Sequence, residues 1–157
     1  MRDRSVVRNE VVALGLPPII QRIFGGTTGD RALEQRCGFP FHSISEPNLP
    51  PRYVPLWERG IVSTGYDPDS GTFKKISLEN PSEPYFQLES FDYVVADLLI
   101  DLWEDDVADD KLIEIADAFQ FDRAQQLIHA LESGAVGDYD SWRHALRTNN
   151  SEQIGAG

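Results

Sequence analysis

Asp67, Asp69 and Gly71 alternate in the way that opens a calcium-binding loop. A calcium loop of the EF-hand type also needs a further ligand before its glycine and a bidentate glutamate at its twelfth position. The twelfth position counted from Asp67 is Leu78, which cannot bind a cation. Because proline and glycine follow Asp67 between two strand-like runs, the segment predicts a hairpin turn instead of a metal site.

A glycine-rich stretch at Gly25, Gly26 and Gly29 has the composition of a phosphate-binding loop. Such loops join a strand to a helix and commonly carry a lysine that reaches the phosphates. This stretch follows a short helical pattern and contains no lysine. It therefore predicts a helix end and a loop.

Three histidines and one cysteine are the remaining side chains that could bind a metal or act as a nucleophile. His42, His129 and His144 are scattered, without a second ligand at metal-binding spacing. Cys37 with a distant histidine, or an Asp/His pair, would be a possible catalytic arrangement, and this alternative stays open. We predict no catalytic residue, no cofactor and no metal. A single cysteine excludes an intramolecular disulfide and is typical of a reducing compartment.

Acidic side chains are concentrated between residues 89 and 117, which contain eleven acids and one base, Lys111. Some of them are expected near a helix N-terminus, where negative charge is favourable. Three others follow one another at the end of a predicted helix, where negative charge is unfavourable. This placement suggests a role in binding, and the predicted partner-binding residues are Asp97, Asp101, Glu104, Asp105 and Asp106.

The charge of the whole chain indicates which partners fit it. The net charge is −12, with eight bases against six acids in residues 1–60 (+2) and six against twenty in residues 61–157 (−14). Nucleic acid and anionic membranes are poor partners for such a chain, since phosphate binding needs a basic surface. A basic protein is the better partner, because an acidic field speeds its encounter. No apolar run has the length of a membrane span and no signal peptide is recognised, so we predict a cytoplasmic protein.

The chemistry-bearing residues lie between strand-like runs and helical patterns. The predicted strands are Tyr53–Trp57, Gly60–Tyr66, Gly71–Leu78 and Pro84–Leu88. Helical spacing predicts a helix from Ser90 to Glu104 that is apolar on two stripes and is therefore buried on both sides. Further helices are predicted at Ile19–Phe24, at Arg31–Cys37 and in three segments after Asp109. Residues 1–10 are predicted to be loose and residues 38–52 to be a long loop.

These elements predict an α+β fold with a small, curved, mainly antiparallel sheet, packed helices and a helical C-terminal extension. The chain is short enough for one domain with a core of fair size. We predict a single domain over residues 1–148, a helical extension over 109–148 and a disordered tail over 149–157.

The segment 14–104 resembles the SUKH superfamily of immunity proteins. The likeness rests on short motifs: an initial Leu16-Pro17-Pro18 helix, the run Tyr53-Val54-Pro55-Leu56-Trp57 with Glu58-Arg59-Gly60, the hairpin from Tyr66 to Phe73, Glu79 closing a strand, and a Ser90-Phe91 helix ending in Trp103-Glu104. The glycine turn after the first helix is reduced to Phe24-Gly25-Gly26, and the helices after residue 108 exceed the usual domain.

This resemblance implies an α+β fold and neutralisation of a bacterial toxin, often a nuclease or a deaminase, within a polymorphic toxin system. The first functional hypothesis is thus an immunity protein that binds a basic toxin domain through an acidic surface. The alternative is a non-enzymatic interaction or scaffold module of the same fold that binds a cellular partner. An enzyme that uses Cys37 or an Asp/His pair is the third.

Overall fold

The computed structural model describes residues 2–149 and has the α+β class predicted from the sequence. Its contacts divide the chain into two compact units, one ending at Ser90 and the other beginning at Phe91. The helix predicted at Ser90–Glu104 belongs to the second unit together with the C-terminal helices. The prediction of one domain over residues 1–148 with a core at 14–104 stays a prediction. Of the predicted tail, only Asn149 lies within the described residues.

An open antiparallel sheet in the order β1-β2-β3-β4 forms the centre of the N-terminal unit. Its strands are β1 (Val54–Arg59), β2 (Val62–Asp67), β3 (Thr72–Ser77) and β4 (Phe86–Leu88). All four predicted strands are thus confirmed, with Pro55 on the edge strand β1 beside a register shift. An edge strand tolerates proline because one side of its backbone does not pair in the sheet.

The Asp67–Gly71 turn is built around one buried carboxylate. Asp67 is 3% exposed and accepts from Asp69 N–H at 3.0 Å, Ser70 Oγ at 3.2 Å and Lys74 Nζ at 2.8 Å. Gly71 has φ +69°, which glycine adopts without a steric cost. The hairpin prediction is confirmed: the feature that resembled a calcium loop organises a turn.

Two of the predictions for the first 52 residues are wrong. Residues predicted to be loose contain helix α1 (Arg4–Ala13), which Asp3 caps through Ser5 N–H at 2.7 Å and which buries Val7 and Val11. The predicted long loop contains the short helix α4 (Phe41–Ser45). Each helix buries only two residues, so the apolar pattern is too narrow to be recognised in a polar segment.

The other helices of this unit agree with the sequence. Helix α2 (Ile19–Gly25) ends at Gly26 in the left-handed conformation, and α3 (Arg31–Arg36) is capped by Asp30 through Leu33 N–H at 3.0 Å. All four helices, α1 to α4, pack on β1, and α1 also packs on α2. The glycine-rich stretch therefore ends a helix, as predicted.

Four helices form the C-terminal unit: α5 (Phe91–Glu104), α6 (Asp109–Ala118), α7 (Ala124–Glu132) and α8 (Tyr139–Thr148). Helix α5 packs against α6, α7 and α8, and α6 packs against α7. Both apolar stripes of α5 contain buried residues, as the two-sided pattern predicted; they include Val94, Val95, Leu98, Leu99 and Leu102 on one stripe and Ala96 and Ile100 on the other. Within residues 2–149 no helix has the length and apolarity to cross a membrane.

Candidate functional site

The acidic side chains predicted to bind a partner lie on α5 and on the turn that follows it. The turn ends the helix with a Schellman motif: Val107 N–H donates to Leu102 O and Asp106 N–H to Trp103 O, at 3.1 and 3.0 Å. Asp106 occupies the left-handed position of this motif with φ +65°, where glycine is the usual residue. Two local preferences therefore oppose Asp106, since the position favours glycine and the helix end disfavours negative charge.

A network of ion pairs between α5 and α8 holds the first three of these carboxylates. Arg143 donates to Asp97 Oδ1 at 3.0 Å, to Asp101 Oδ1 at 2.8 Å and to Glu104 Oε1 at 2.8 Å. These acceptors are spaced by four and three residues along α5, so they share one strip of the helix. One guanidinium with five donors in a fixed fork can bridge all three.

Two further side chains of α8 complete the network. Arg147 Nε donates to Asp97 Oδ1 at 2.7 Å, so Asp97 binds two guanidinium groups. Tyr139 Oη donates to Glu104 at 2.6 Å and accepts from Arg143 at 3.2 Å. Burial lowers the pKa of Arg143, but Asp97 and Asp101 raise it by more, and the net pKa lies above its ordinary value. Arg143 therefore stays charged.

Arg123 binds the C-terminal end of α8. Its guanidinium donates to the carbonyl oxygens of Leu146 and Arg147 at 3.0 and 2.5 Å and pairs with Asp92 of α5 at 3.2 Å. The last carbonyls of a helix lack intrahelical partners, so this cation satisfies them at the negative end of the helix. Trp142, Ala145 and Leu146 are buried on the same helix.

The structure assigns the predicted site residues to two groups. Asp97 is 3% exposed and Asp101 is half-buried, so their carboxylates have an internal role in joining α8 to α5. Glu104 belongs to the same network but is exposed, and Asp105 and Asp106 are exposed at the helix end. The sequence reading missed Arg143 and Arg147. Their spacing of four residues matches that of Asp97 and Asp101, which is the signal that would have suggested the pairing.

Most of the acids in this unit face solvent. Residues 91–149 contain fourteen acids and four bases, a balance of −10, and eleven of the fourteen acids are exposed. Lys111, Arg123, Arg143 and Arg147 all form ion pairs with carboxylates of the same unit. The exposed surface of this unit therefore has a strongly negative field.

The histidines and the cysteine lie in different environments. Cys37 is buried at 3% exposure. All three histidines are exposed: His42 pairs with Glu58 in the N-terminal unit, and His129 and His144 lie on α7 and α8. Among residues 2–149, no group of three or more His, Cys, Asp or Glu side chains is arranged to hold a metal ion.

Comparisons with protein-family models, with curated proteins and with solved structures find no match for this chain. The likeness to the SUKH superfamily therefore stays a prediction from the motifs.

Proposed function

We propose that this chain is an immunity protein that binds a basic toxin domain, of nuclease or deaminase type, through the acidic surface of its C-terminal unit. The observation that carries the proposal is the exposed pair Asp105 and Asp106 at the end of α5. Both lie where negative charge is unfavourable for the helix, and Asp106 takes a backbone conformation that favours glycine. Neither the helix end nor its left-handed backbone conformation favours an acid at Asp106, which is the pattern expected of a residue used in binding.

The charge of the surrounding unit supports the same partner class. A balance of −10 over residues 91–149, with most acids exposed, attracts a basic protein and accelerates encounter. Toxin domains that act on nucleic acids commonly carry basic side chains that hold phosphates. Asp97 and Asp101 support this surface indirectly, because they position α8, whereas the exposed Glu104, Asp105 and Asp106 are the residues that we propose meet the partner.

The first experiment identifies the partner. The purified chain is used to capture proteins from its source organism, and a captured domain is expressed alone and together with the chain. The expected result is a basic domain that arrests growth alone and is harmless when co-expressed. A captured cellular protein without toxicity would instead support the interaction module, the alternative function.

A pair of charge-matched variants then tests the surface. Asp105→Lys with Asp106→Gly changes the charge by +3, and Glu79→Lys with Glu83→Gln changes it equally at exposed positions of the N-terminal unit. Electrostatic steering acts on association, so the first variant should slow association about tenfold in low salt and flatten its salt dependence. The matched variant should have a much smaller effect.

Asp106→Gly also separates binding from folding. Glycine fits the left-handed position better than aspartate, so the free energy of unfolding should rise or stay equal while association slows. Wild-type association in low salt by the double variant, Asp105→Lys with Asp106→Gly, would show that the acids at the end of α5 do not meet the partner.

A further inference from the structure

His42 is an exposed histidine held by a buried carboxylate. Its Nδ1 lies 2.6 Å from Glu58 Oε2, and the His42 side chain is 67% exposed whereas that of Glu58 is 7% exposed. Carboxylate–histidine pairs of this kind orient imidazole rings at many functional sites. The rings of Phe41 and His42 pack edge to face with centroids 5.4 Å apart, which further limits the orientation of the imidazole.

Glu58 is rigidly placed. It lies in β1, and its backbone exchanges hydrogen bonds with Gly38 at 2.9 and 3.0 Å. Its second carboxylate oxygen, Oε1, accepts from Ser43 N–H at 2.9 Å and Ser43 Oγ at 3.0 Å. With Oε1 taken by Ser43, Oε2 is the oxygen that holds the imidazole.

This geometry determines which nitrogen of His42 can react. An ionised carboxylate only accepts hydrogen bonds, so Nδ1 carries the ring proton and donates a hydrogen bond to Glu58. In the neutral ring the lone pair is then on Nε2. Hydrogen bonding of Nδ1–H to a carboxylate makes Nε2 a better nucleophile and stabilises the positive charge that develops when Nε2 attacks an electrophile.

We propose that His42 Nε2 is a phosphoryl acceptor, a modification site activated by Glu58. In the transfer from a donor with an N–P bond, the Nε2 lone pair forms the new N–P bond and the donor's N–P bond breaks. With zwitterionic phosphoramidate the leaving group is ammonia, so no further proton is required. The ring becomes an imidazolium whose Nδ1–H still faces the Glu58 carboxylate, which neutralises it.

The exposure of the ring favours a phosphoryl group over an acyl group. An acyl-imidazole open to water hydrolyses rapidly, whereas a phosphoryl-imidazole is far longer-lived at neutral or alkaline pH. A histidine that is 67% exposed can therefore keep a phosphoryl group as a stable modification. This inference does not depend on the proposed function, because it concerns another part of the chain.

The other two histidines are internal controls for the test. His129 and His144 are both exposed, and within residues 2–149 neither ring is hydrogen-bonded to a carboxylate, although the charge of Glu132 acts on His129. The whole protein is incubated with potassium phosphoramidate at mildly alkaline pH, where histidine is ordinarily neutral. Phosphorylation of each histidine is followed over time by peptide mass spectrometry and phosphorus NMR. His42 should react about tenfold faster than His129 and His144, with the phosphorus on Nε2.

Glu58→Gln is the second arm, since glutamine keeps the shape of the side chain and can still accept from Ser43. In this variant the rate of phosphorylation at His42 should fall to the rate at His129 and His144, while circular dichroism shows an unchanged fold. Equal rates at all three histidines of the wild type would overturn the proposal. An undiminished rate at His42 in folded Glu58→Gln would also overturn it. Should the variant fail to fold, the comparison within the wild type decides alone.

Discussion

Asp97 is the most buried carboxylate in the ion-pair network between α5 and α8. Its carboxylate is 3% exposed and binds both Arg143 and Arg147. Removing one partner from a buried ion pair leaves charges without compensation, and such changes are far more destabilising than the loss of an exposed pair.

We predict that Asp97→Ala lowers the free energy of unfolding by about 3–5 kcal/mol. Asp117→Ala, at an exposed position on α6, should change it by less than about 0.5 kcal/mol. Urea unfolding followed by circular dichroism measures both. Similar values for the two variants would mean that the Arg143 network contributes little to stability.

The buried turn residue Asp67 predicts a dependence of stability on pH. Burial raises the pKa of its carboxyl, but hydrogen bonds from Lys74, Asp69 N–H and Ser70 together lower it by more, to below the ordinary 3.8. A carboxyl with a lowered pKa in the folded state stabilises the protein above its unfolded-state pKa. That stabilisation is lost as the pH falls through the folded-state pKa.

The free energy of unfolding of the wild type should therefore exceed that of Asp67→Asn by about 1–3 kcal/mol near neutral pH. This difference should shrink steadily below pH 4. Urea unfolding at several pH values between 7 and 2 checks this. A difference that stays constant on acidification would show that the carboxylate charge is not what stabilises the turn.

At the scale of elements, helix α5 is the central part of the C-terminal unit. Its two apolar stripes and its acidic strip leave little of the helix facing solvent, because α6, α7 and α8 all pack against it. Leu98 on one stripe is 4% exposed and Ile100 on the other is 0% exposed. An unpaired charge at a buried position of either apolar stripe is therefore unfavourable.

Leu98→Asp and Ile100→Asp should each prevent cooperative folding, since an unpaired buried carboxylate costs more than about 4 kcal/mol. The exposed Val136→Asp, in the segment before α8, should fold normally. Thermal unfolding and gel filtration compare the three variants. A stable Ile100→Asp protein would show that the second stripe does not form a core.

For the whole molecule, the functional hypothesis is a binding protein without catalytic side chains. Cys37 is buried and His42 belongs to the N-terminal unit, whereas His129 and His144 are exposed on helices of the C-terminal unit. If neutralisation acts by binding alone, none of these four residues is needed for it. Phosphoryl transfer to His42 would then be separable from protection.

Cys37→Ser, His42→Ala, His129→Ala and His144→Ala should each preserve protection of a host cell that expresses the captured toxin domain. The readout is growth on co-expression, with circular dichroism confirming that each variant is folded. Loss of protection by a folded variant would revive the enzymatic alternative and point to the residue concerned.

Local patterns in the sequence were sufficient to predict the sheet and most helices. Alternating runs around Asp67–Gly71 identify the hairpin, and the period of Phe91, Val94, Val95 and Leu98 identifies α5, because both signals act over neighbouring residues. Helices α1 and α4 were missed, because each buries only two residues and its stability comes from packing on β1.

The pairing of side chains was decided by tertiary structure alone. The sequence identified Asp97, Asp101 and Glu104 as one strip of a helix, but their partners Arg143 and Arg147 lie about 40 to 50 residues away and reach them only because α8 packs across α5. The same holds for His42 and Glu58, which are 16 residues apart and meet where α4 packs on β1. Periodicity specifies the face on which a charge lies, whereas the charge that meets it depends on which helix covers that face.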